Sequence, residues 1–568
     1  MDEFLVIPKG ADGYYHPKNE SEVIALVKYA VNSKRQIRVR GASHSTAWSI
    51  FTDPVDDKPR NMTLIRRPPA GENLNLSLDQ MIALDWIDEA NGIVEAEAGI
   101  HLGADPYDPL AVATLDNSLL YQLFQKGWGI NDLGGITHQT VGGFLGTGSA
   151  GGSLKFDLDN VTAFRIVDGT GTPSWIERTD PIFGAVAVSM GLLGIVTKVR
   201  LRCNRSFIIA GDEVTTPTTL AGCPIDLFGS GTAGKPSMQQ FLEEKDYSRI
   251  LWWPQVGAER VVIWEAKRDD APPPPGFTPV PYQEFATDLA GWAEQLLGSI
   301  FYVLLGNTAF GRITAILLRN YGRFCHCVAR MWAATLGPLA WLPAAIVTAI
   351  LFVILLIPTL IFMLFPGILP KLFPTALNFF QPMTKPGEAT LFKDYYWRSL
   401  PMDNTADDIL MGTEFTEIWM PLKYTQQCMT LLNQMFIDKG VTATGYFSAE
   451  VYATMPSTAW LSPAYSDGND EYKDGVVRFD IFWYRENDGQ PNVEGGFYQQ
   501  YWDLFRSHGI PFRFHWGKYI PAYNFPDWAA YIRAGLPKFD DFMALRAARD
   551  PNDIFYTQYY RERFTGHA

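Results

Sequence analysis

A chain of 568 residues exceeds what one hydrophobic core organises, so two domains with a cleft between them are expected. A net charge of -14 with no sustained basic stretch excludes nucleic acid as a partner, because binding phosphates requires a basic face. The five cysteines (Cys203, Cys223, Cys325, Cys327, Cys428) lack the paired spacing of zinc ligands, so no metal site is expected and a reduced compartment fits.

The start, Met1-Asp2-Glu3-Phe4, has no basic segment leading into an apolar run, so no export signal is expected. The spacing of Val23, Ile24, Leu26 and Val27 predicts a helix over Glu22 to Ser33, followed by a strand over Arg35 to Val39. The octapeptide R-V-R-G-A-S-H-S follows at Arg38 to Ser45. Gly41, Ala42 and Ser43 carry small side chains, so a turn there lets a pyrophosphate approach the backbone N–H groups, with His44 beside the ligand. An ordinary glycine/serine turn with a solvated histidine is the other reading of these residues alone. Strands are predicted at Met62 to Ile65, Ile82 to Ile87 and Ile93 to Ala98, with Asn91-Gly92 as a hairpin signal and Gly99 in the loop that follows. The glycine density of Leu133 to Gly152 argues against a helix or strand interior there. Strands at Val161 to Val167 and Ile195 to Leu201, joined through Gly191-Leu192-Leu193-Gly194, close a first unit near Cys203.

The middle of the chain predicts strands at Arg260 to Ala266, Phe415 to Met420 and Val476 to Tyr484. Alternation in Val477 to Tyr484 suggests a half-buried antiparallel sheet covering a substrate. Pro272 to Pro275 reads as a stiff spacer, and Trp528 to Phe564 as helical at first. Between these lies an apolar insertion: Met331 to Pro370 is 40 consecutive positions without Asp, Glu, Lys, Arg or His. That exceeds the roughly 20 residues needed to span a bilayer. Arg312, Arg319, Arg323 and Arg330 punctuate the upstream stretch Gln295 to Trp332, as at a headgroup surface. Membrane contact is the favoured expectation, with a buried helical hairpin as the alternative. If both flanks fold into one body, a single span is excluded, leaving a two-pass hairpin or a monotopic wedge with the catalytic body on the cytoplasmic side. Cys325-His326-Cys327 is expected to pack rather than bind metal.

Five patches together resemble the vanillyl-alcohol oxidase superfamily with its PCMH-type FAD domain, closest to the aldonolactone and alditol oxidase branch, with a second likeness to type II cholesterol oxidases. They are R-G-A-S-H-S at Arg40 to Ser45, L-G-G-I-T-H-Q-T-V-G-G at Leu133 to Gly143, S-M-G-L-L-G-I-V-T at Ser189 to Thr197, H-W-G-K at His515 to Lys518, and D-P-N-D-I-F at Asp550 to Phe555. The resemblance implies an α+β protein: a two-subdomain FAD domain over 1–205, a substrate domain with antiparallel sheet over 206–525 carrying the apolar helical insertion at about 295–380, and a segment 526–568 returning to the FAD domain. It implies FAD as cofactor, with His44 as the candidate covalent attachment point and noncovalent FAD the alternative. FAD-binding positions carried over are Arg40, Gly41, Ala42, Ser43, His44, Ser45 and Gly99, then Gly135, Gln139, Thr140, Gly142, Gly143, Gly146 and Thr147, and finally Gly191, Gly194, Ile195 and Val196. Gly148-Ser149-Ala150-Gly151 stands where lactone-branch relatives often carry T-H-G, which leaves the acceptor open between O2 and a quinone or cytochrome.

Oxidising a C–OH group through a flavin requires a hydride acceptor, a group to take the hydroxyl proton, and a cation near the reduced ring. The resemblance assigns the cation to Lys518. Glu450 is the candidate for the proton, and alternation puts Tyr452 on the same face. Relatives have Glu-x-Arg where this chain has Glu450-Val451-Tyr452. His515 is an alternative base, and His138 is read as a loop residue near FAD. The expected activity is oxidation of a lipophilic, sterol- or isoprenoid-like alcohol drawn from membrane lipid. The alternatives are a membrane-held aldonolactone or alditol oxidase or dehydrogenase, and a flavin-binding scaffold without catalysis.

Overall fold

The computed structural model describes residues 7–53, 68–105, 108, 112–157, 160–282, 325, 329, 336–364, 374–375, 377–378, 381–401, 413–414, 416–444, 448–484 and 496–567. The predicted strand at Met62 to Ile65, the arginine-punctuated stretch from Gln295 to Trp332 apart from 325 and 329, and His326 and Cys327 lie outside these residues.

The first helix, Glu20–Ser33, begins where Asn19 accepts the Glu22 N–H and ends at Lys34, whose φ of 54° stops the helix. It buries Val23, Leu26, Val27 and Ala30, the stripe at positions i, i+3, i+4 and i+7 that the sequence shows. Strand Ile37–Arg40 follows and pairs in parallel with Leu74–Ser77. Ile554 and Phe555 pack against the same apolar cluster, and the Ile37 N–H donates to the Ile554 carbonyl at 2.8 Å. The segment carrying D-P-N-D-I-F therefore closes this small layer from more than 500 positions downstream in sequence.

A five-stranded antiparallel sheet lies beside it, ordered Leu84–Asp88, Ile93–Glu97, Ile195–Arg202, Val161–Val167, Pro173–Glu177. Its first two strands are joined by a 3-10 turn at Glu89–Asn91, capped by Gly92 at φ 67°. The glycine-rich region departs from expectation, since Val141–Thr147 is helical despite three glycines. Thr140 caps it by accepting the Gly143 N–H at 3.2 Å, and an added Cβ on Gly142 would stand 3.1 Å from the Ala98 carbonyl oxygen. Close approach to the strand end thus favours glycine where helix propensity does not.

The covering domain is one eight-stranded antiparallel sheet. Its order is Thr390–Tyr395, Ile208–Pro217, Arg260–Asp269, Tyr247–Trp253, Ala449–Thr454, Val476–Ile481, Glu417–Pro421, Arg513–Phe514. Strand Val476–Ile481 corrects the half-buried expectation, because all six residues are buried, Arg478 and Asp480 included. Its polar face turns toward an internal cavity rather than toward water. Helices Phe525–Gly535, Phe539–Arg549 and Gln558–Thr565 complete the chain.

In the insertion, Trp341–Leu364 forms one helix of 24 residues without a charged side chain. Side chains in this helix are described for 341–350 and for Val353 and Leu364, and among the described residues no helix is long and apolar enough to cross a membrane. Ala344 and Thr348 face inward and are fully buried, continuing the buried Ala340 of the turn before the helix. Leu342, Ile346, Ile350 and Val353 face outward and are all more than half exposed.

Candidate active site

The turn at Arg40 to Ser45 is fixed from three sides. Arg40 donates to the Gly41 carbonyl and the Ser43 hydroxyl, each at 3.0 Å, and its guanidinium lies over the Tyr14 ring. Ser43 adopts φ 65°, a left-handed conformation uncommon outside glycine. Thr46 N–H donates to the Gly517 carbonyl at 2.9 Å, joining the turn to the H-W-G-K motif. Facing the turn is the helix Val141–Thr147; an added Cβ on Gly41 would clash with Thr140 Oγ1, whereas one on Gly146 would meet nothing within 4 Å. Gly194, at φ 142°, brings the third glycine patch onto the end of strand Val161–Val167.

These walls enclose a cavity of about 390 Å³, within the range of small-molecule sites. Its lining includes every candidate carried over from the sequence motifs: Arg40 to Ser45, Gly99, Gly135, Gln139, Thr140, Gly142, Gly143, Gly146, Thr147, Gly191, Gly194, Ile195 and Val196. Glu450, Tyr452, His515 and Lys518 line it as well. His44 faces His138 with ring centres 5.9 Å apart. Gln139 Oε1 is buried without a hydrogen-bond partner among the described residues, leaving an acceptor available at the glycine wall. The side-chain-free wall at Gly146 and this spare acceptor fit a flat heteroaromatic cofactor such as a flavin.

The other end of the cavity is dense in ionisable groups. Strand register puts Glu450, Asp480 and Glu417 in one row and Tyr452, Arg478 and Trp419 in the next. Opposite residues on one sheet face lie about 5 Å apart, so three buried carboxyls cannot all ionise. Burial opposes ionisation of Glu417, but the groups facing it, His515 in its protonated form first and then the cationic Arg478 and Lys518, hold its carboxyl below the usual value. Arg478 Nη1 lies 3.1 Å from Glu417 Oε1, and its guanidinium stands over the Tyr452 ring. Burial and the Glu417 charge push Asp480 well above the ordinary carboxyl range. Burial also raises Glu450, which accepts the Tyr452 hydroxyl in a short hydrogen bond. Of the three, Glu417 is the carboxyl whose ionised form its surroundings favour.

His515 behaves differently from the base considered above. Burial pushes it down to about 4, so the ring is neutral. Gly517 N–H donates to Nδ1 at 3.2 Å, which assigns the ring proton to Nε2. A ring whose lone pair is already used can donate to a ligand but does not take its proton.

Glu417, Arg478 and Asp480 were not among the candidates drawn from the sequence. Two charges at i and i+2 in a strand otherwise rich in Val, Phe, Ile and Trp are the signal that could have found them.

The sequence family described as D-arabinono-1,4-lactone oxidase matches residues 372–563, the stretch that supplies this ionisable end. Similar proteins are D-arabinono-1,4-lactone oxidase of Eremothecium gossypii, 24% identical over 264 residues (46% of this chain, 41% of that protein), and L-gulonolactone oxidase of Mus musculus, 24% identical over 245 residues (42% and 45%). The aligned stretch thus spans less than half the length of these curated relatives. Among solved structures, cholesterol oxidase from Brevibacterium sterolicum has the same fold, with a TM-score of 0.60 at 16% identity over 97% of this chain and 93% of that one.

Proposed function

We propose that the protein is an FAD-dependent oxidase of a polyhydroxylated donor, an aldonolactone or alditol, passing its electrons to O2. One observation carries the reading: the row of Glu450, Asp480 and Glu417 with Arg478 faces the cavity. A sugar-derived ligand offers hydroxyls to Asp480 Oδ1 and Arg478 Nε, which have no hydrogen-bond partner among the described residues, whereas a steroid nucleus would leave both atoms unsatisfied, at a cost of about 1–3 kcal/mol apiece. The polar lining therefore replaces the expected lipophilic alcohol, and the names of the similar lactone oxidases point the same way. The likeness to cholesterol oxidase supports the fold alone.

When bound along the glycine walls, FAD would supply the hydride acceptor. Glu450 in its ionised form takes the hydroxyl proton, and burial, which raises it above a surface carboxyl, makes it the stronger base. Arg478 and Glu417 orient neighbouring hydroxyls, His515 donates from Nε2, and Lys518 brings positive charge to the wall. His44, lining the cavity beside the first turn, is proposed as the covalent tether.

The helix Trp341–Leu364 favours a membrane-held form of this enzyme. Its Ala344 and Thr348 face the protein while Leu342, Ile346, Ile350 and Val353 face outward, the reverse of a helix meant for water, which suits a surface resting on lipid.

The test is anaerobic bleaching of the bound flavin. Arabinono-1,4-lactone, galactonolactone or xylitol should bleach it and cholesterol should not; bleaching by the sterol alone overturns the assignment.

A further inference from the structure

Behind Glu450 lies a second, small cavity of about 20 Å³, enough for one water. On the active-site side it is lined by Glu450 and Tyr452, and on the far side by Arg249, Glu213 and Tyr282. Glu213, Trp264 and Arg249 stand opposite one another across three neighbouring strands. The Tyr282 hydroxyl donates to Glu213 Oε2 at 2.7 Å. Arg249 is buried, donates through Nη1 to the Leu400 carbonyl, and has Nη2 without a hydrogen-bond partner among the described residues. A buried guanidinium edge beside a water-sized space between two carboxyls is a place for a bound water. Glu213 and Tyr282 are both partly exposed, so the far end lies near the surface.

We propose that Glu450, the water site at Arg249, and the Glu213–Tyr282 pair form a proton path between the active site and the surface, separate from the route by which substrate enters. The inference rests on the oxidase reading for its purpose. In that reaction the donor's C–H hydrogen leaves with its electron pair for the flavin, the hydroxyl proton passes to Glu450, and the C–O bond becomes C=O. O2 takes up the two electrons and two protons to give H2O2. No proton is released overall, so the hydroxyl proton has to be held on Glu450 or replaced from solvent until O2 is reduced, and a route through the sheet permits this while product fills the main cavity. Burial raises both Glu450 and Glu213, so each holds a proton more readily than a surface carboxyl. Arg249 keeps the water oriented between them and limits that rise.

The path predicts proton exchange that needs no substrate. In the flavin-loaded protein, brought to a pH at which Glu450 is protonated, its infrared C=O band, identified by its loss in Glu450→Gln, should shift on transfer to D2O despite burial. In Glu213→Gln the shift should be slowed at least about tenfold. Tyr282→Phe, which removes one oxygen and leaves the packing, should slow it as well if Glu213→Gln fails to fold. Glu213→Asp should keep most of the wild-type rate. Exchange unchanged in Glu213→Gln and Tyr282→Phe would overturn the path and place proton exit in the main cavity; absence of a Glu450 band would overturn it too. Because no donor is added, these outcomes are separate from failure of the lactone bleaching test.

Discussion

Replacing Arg478 by methionine should be among the most damaging single changes in the covering sheet, and for a reason that a second substitution can cancel. The guanidinium Nη1 and Glu417 Oε1 are 3.1 Å apart, with both side chains less than a tenth exposed. At an effective dielectric constant of about 20, unit charges at that separation attract by about 5 kcal/mol. Removing one partner of such a pair costs about 3–5 kcal/mol, chiefly because the other charge is left buried. Arg478→Met should therefore lower the urea midpoint strongly at pH 8. The pH dependence has a definite sign. In the wild type Glu417 is depressed, so its contribution is present above its unfolded pKa and fades as pH falls through the folded value. In the variant the same carboxyl is raised, so the deficit should shrink toward pH 5 as Glu417 takes up a proton. Adding Glu417→Gln should recover about half or more of the loss, a coupling of about 2 kcal/mol in a double-mutant cycle. If Arg478→Met and the double variant unfold at the same urea concentration, the cost is lost packing around Tyr452 and Trp419, and the charge argument is wrong.

Flavin should stay with the wild-type protein through acid precipitation and be released from His44→Ala, checked by absorbance of the supernatant; release from both would remove the covalent tether. Glu450→Gln should slow anaerobic flavin reduction by about 10²–10⁴-fold and flatten its pH dependence, measured in single turnovers; an unchanged rate would exclude Glu450 as the base. Gly99→Ala should fail to accumulate as folded protein, because its Cβ would sit 1.9 Å from the Leu78 carbonyl oxygen, a backbone atom that cannot rotate away. Paired Ile346→Glu and Ile350→Glu should abolish flotation with liposomes; retained flotation would show that the exposed stripe is not the lipid contact.

The cofactor wall was readable from the sequence because its signal is local: glycine and small residues at turn positions report close backbone approach wherever they occur. The ionisable row was not readable in the same way. A period of two says which residues share a strand face, but not whether that face meets water or a cavity. Arg478 and Asp480 alternate with Val477, Phe479 and Ile481 as a solvated face would, and only the fold turns them inward. Glu417 becomes part of the site through its register opposite Asp480, a long-range pairing with no local mark. The helix Val141–Thr147 was missed for the opposite reason: its glycines oppose helix locally, and packing against Ala98 outweighs them.

The clasp between the first turn and the far end of the chain bears on the order in which this protein matures. Arg38 donates to the Tyr560 hydroxyl across 522 positions, and Gln36 to the Tyr556 carbonyl across 520. Ribosomal synthesis supplies the glycine turns well before the segment that braces them. A nascent chain halted before Tyr560 has most of its first sheet but an unbraced turn, so the turn is fixed only after that segment has folded back. Whatever binds at that turn depends on a brace made more than 500 positions away in sequence.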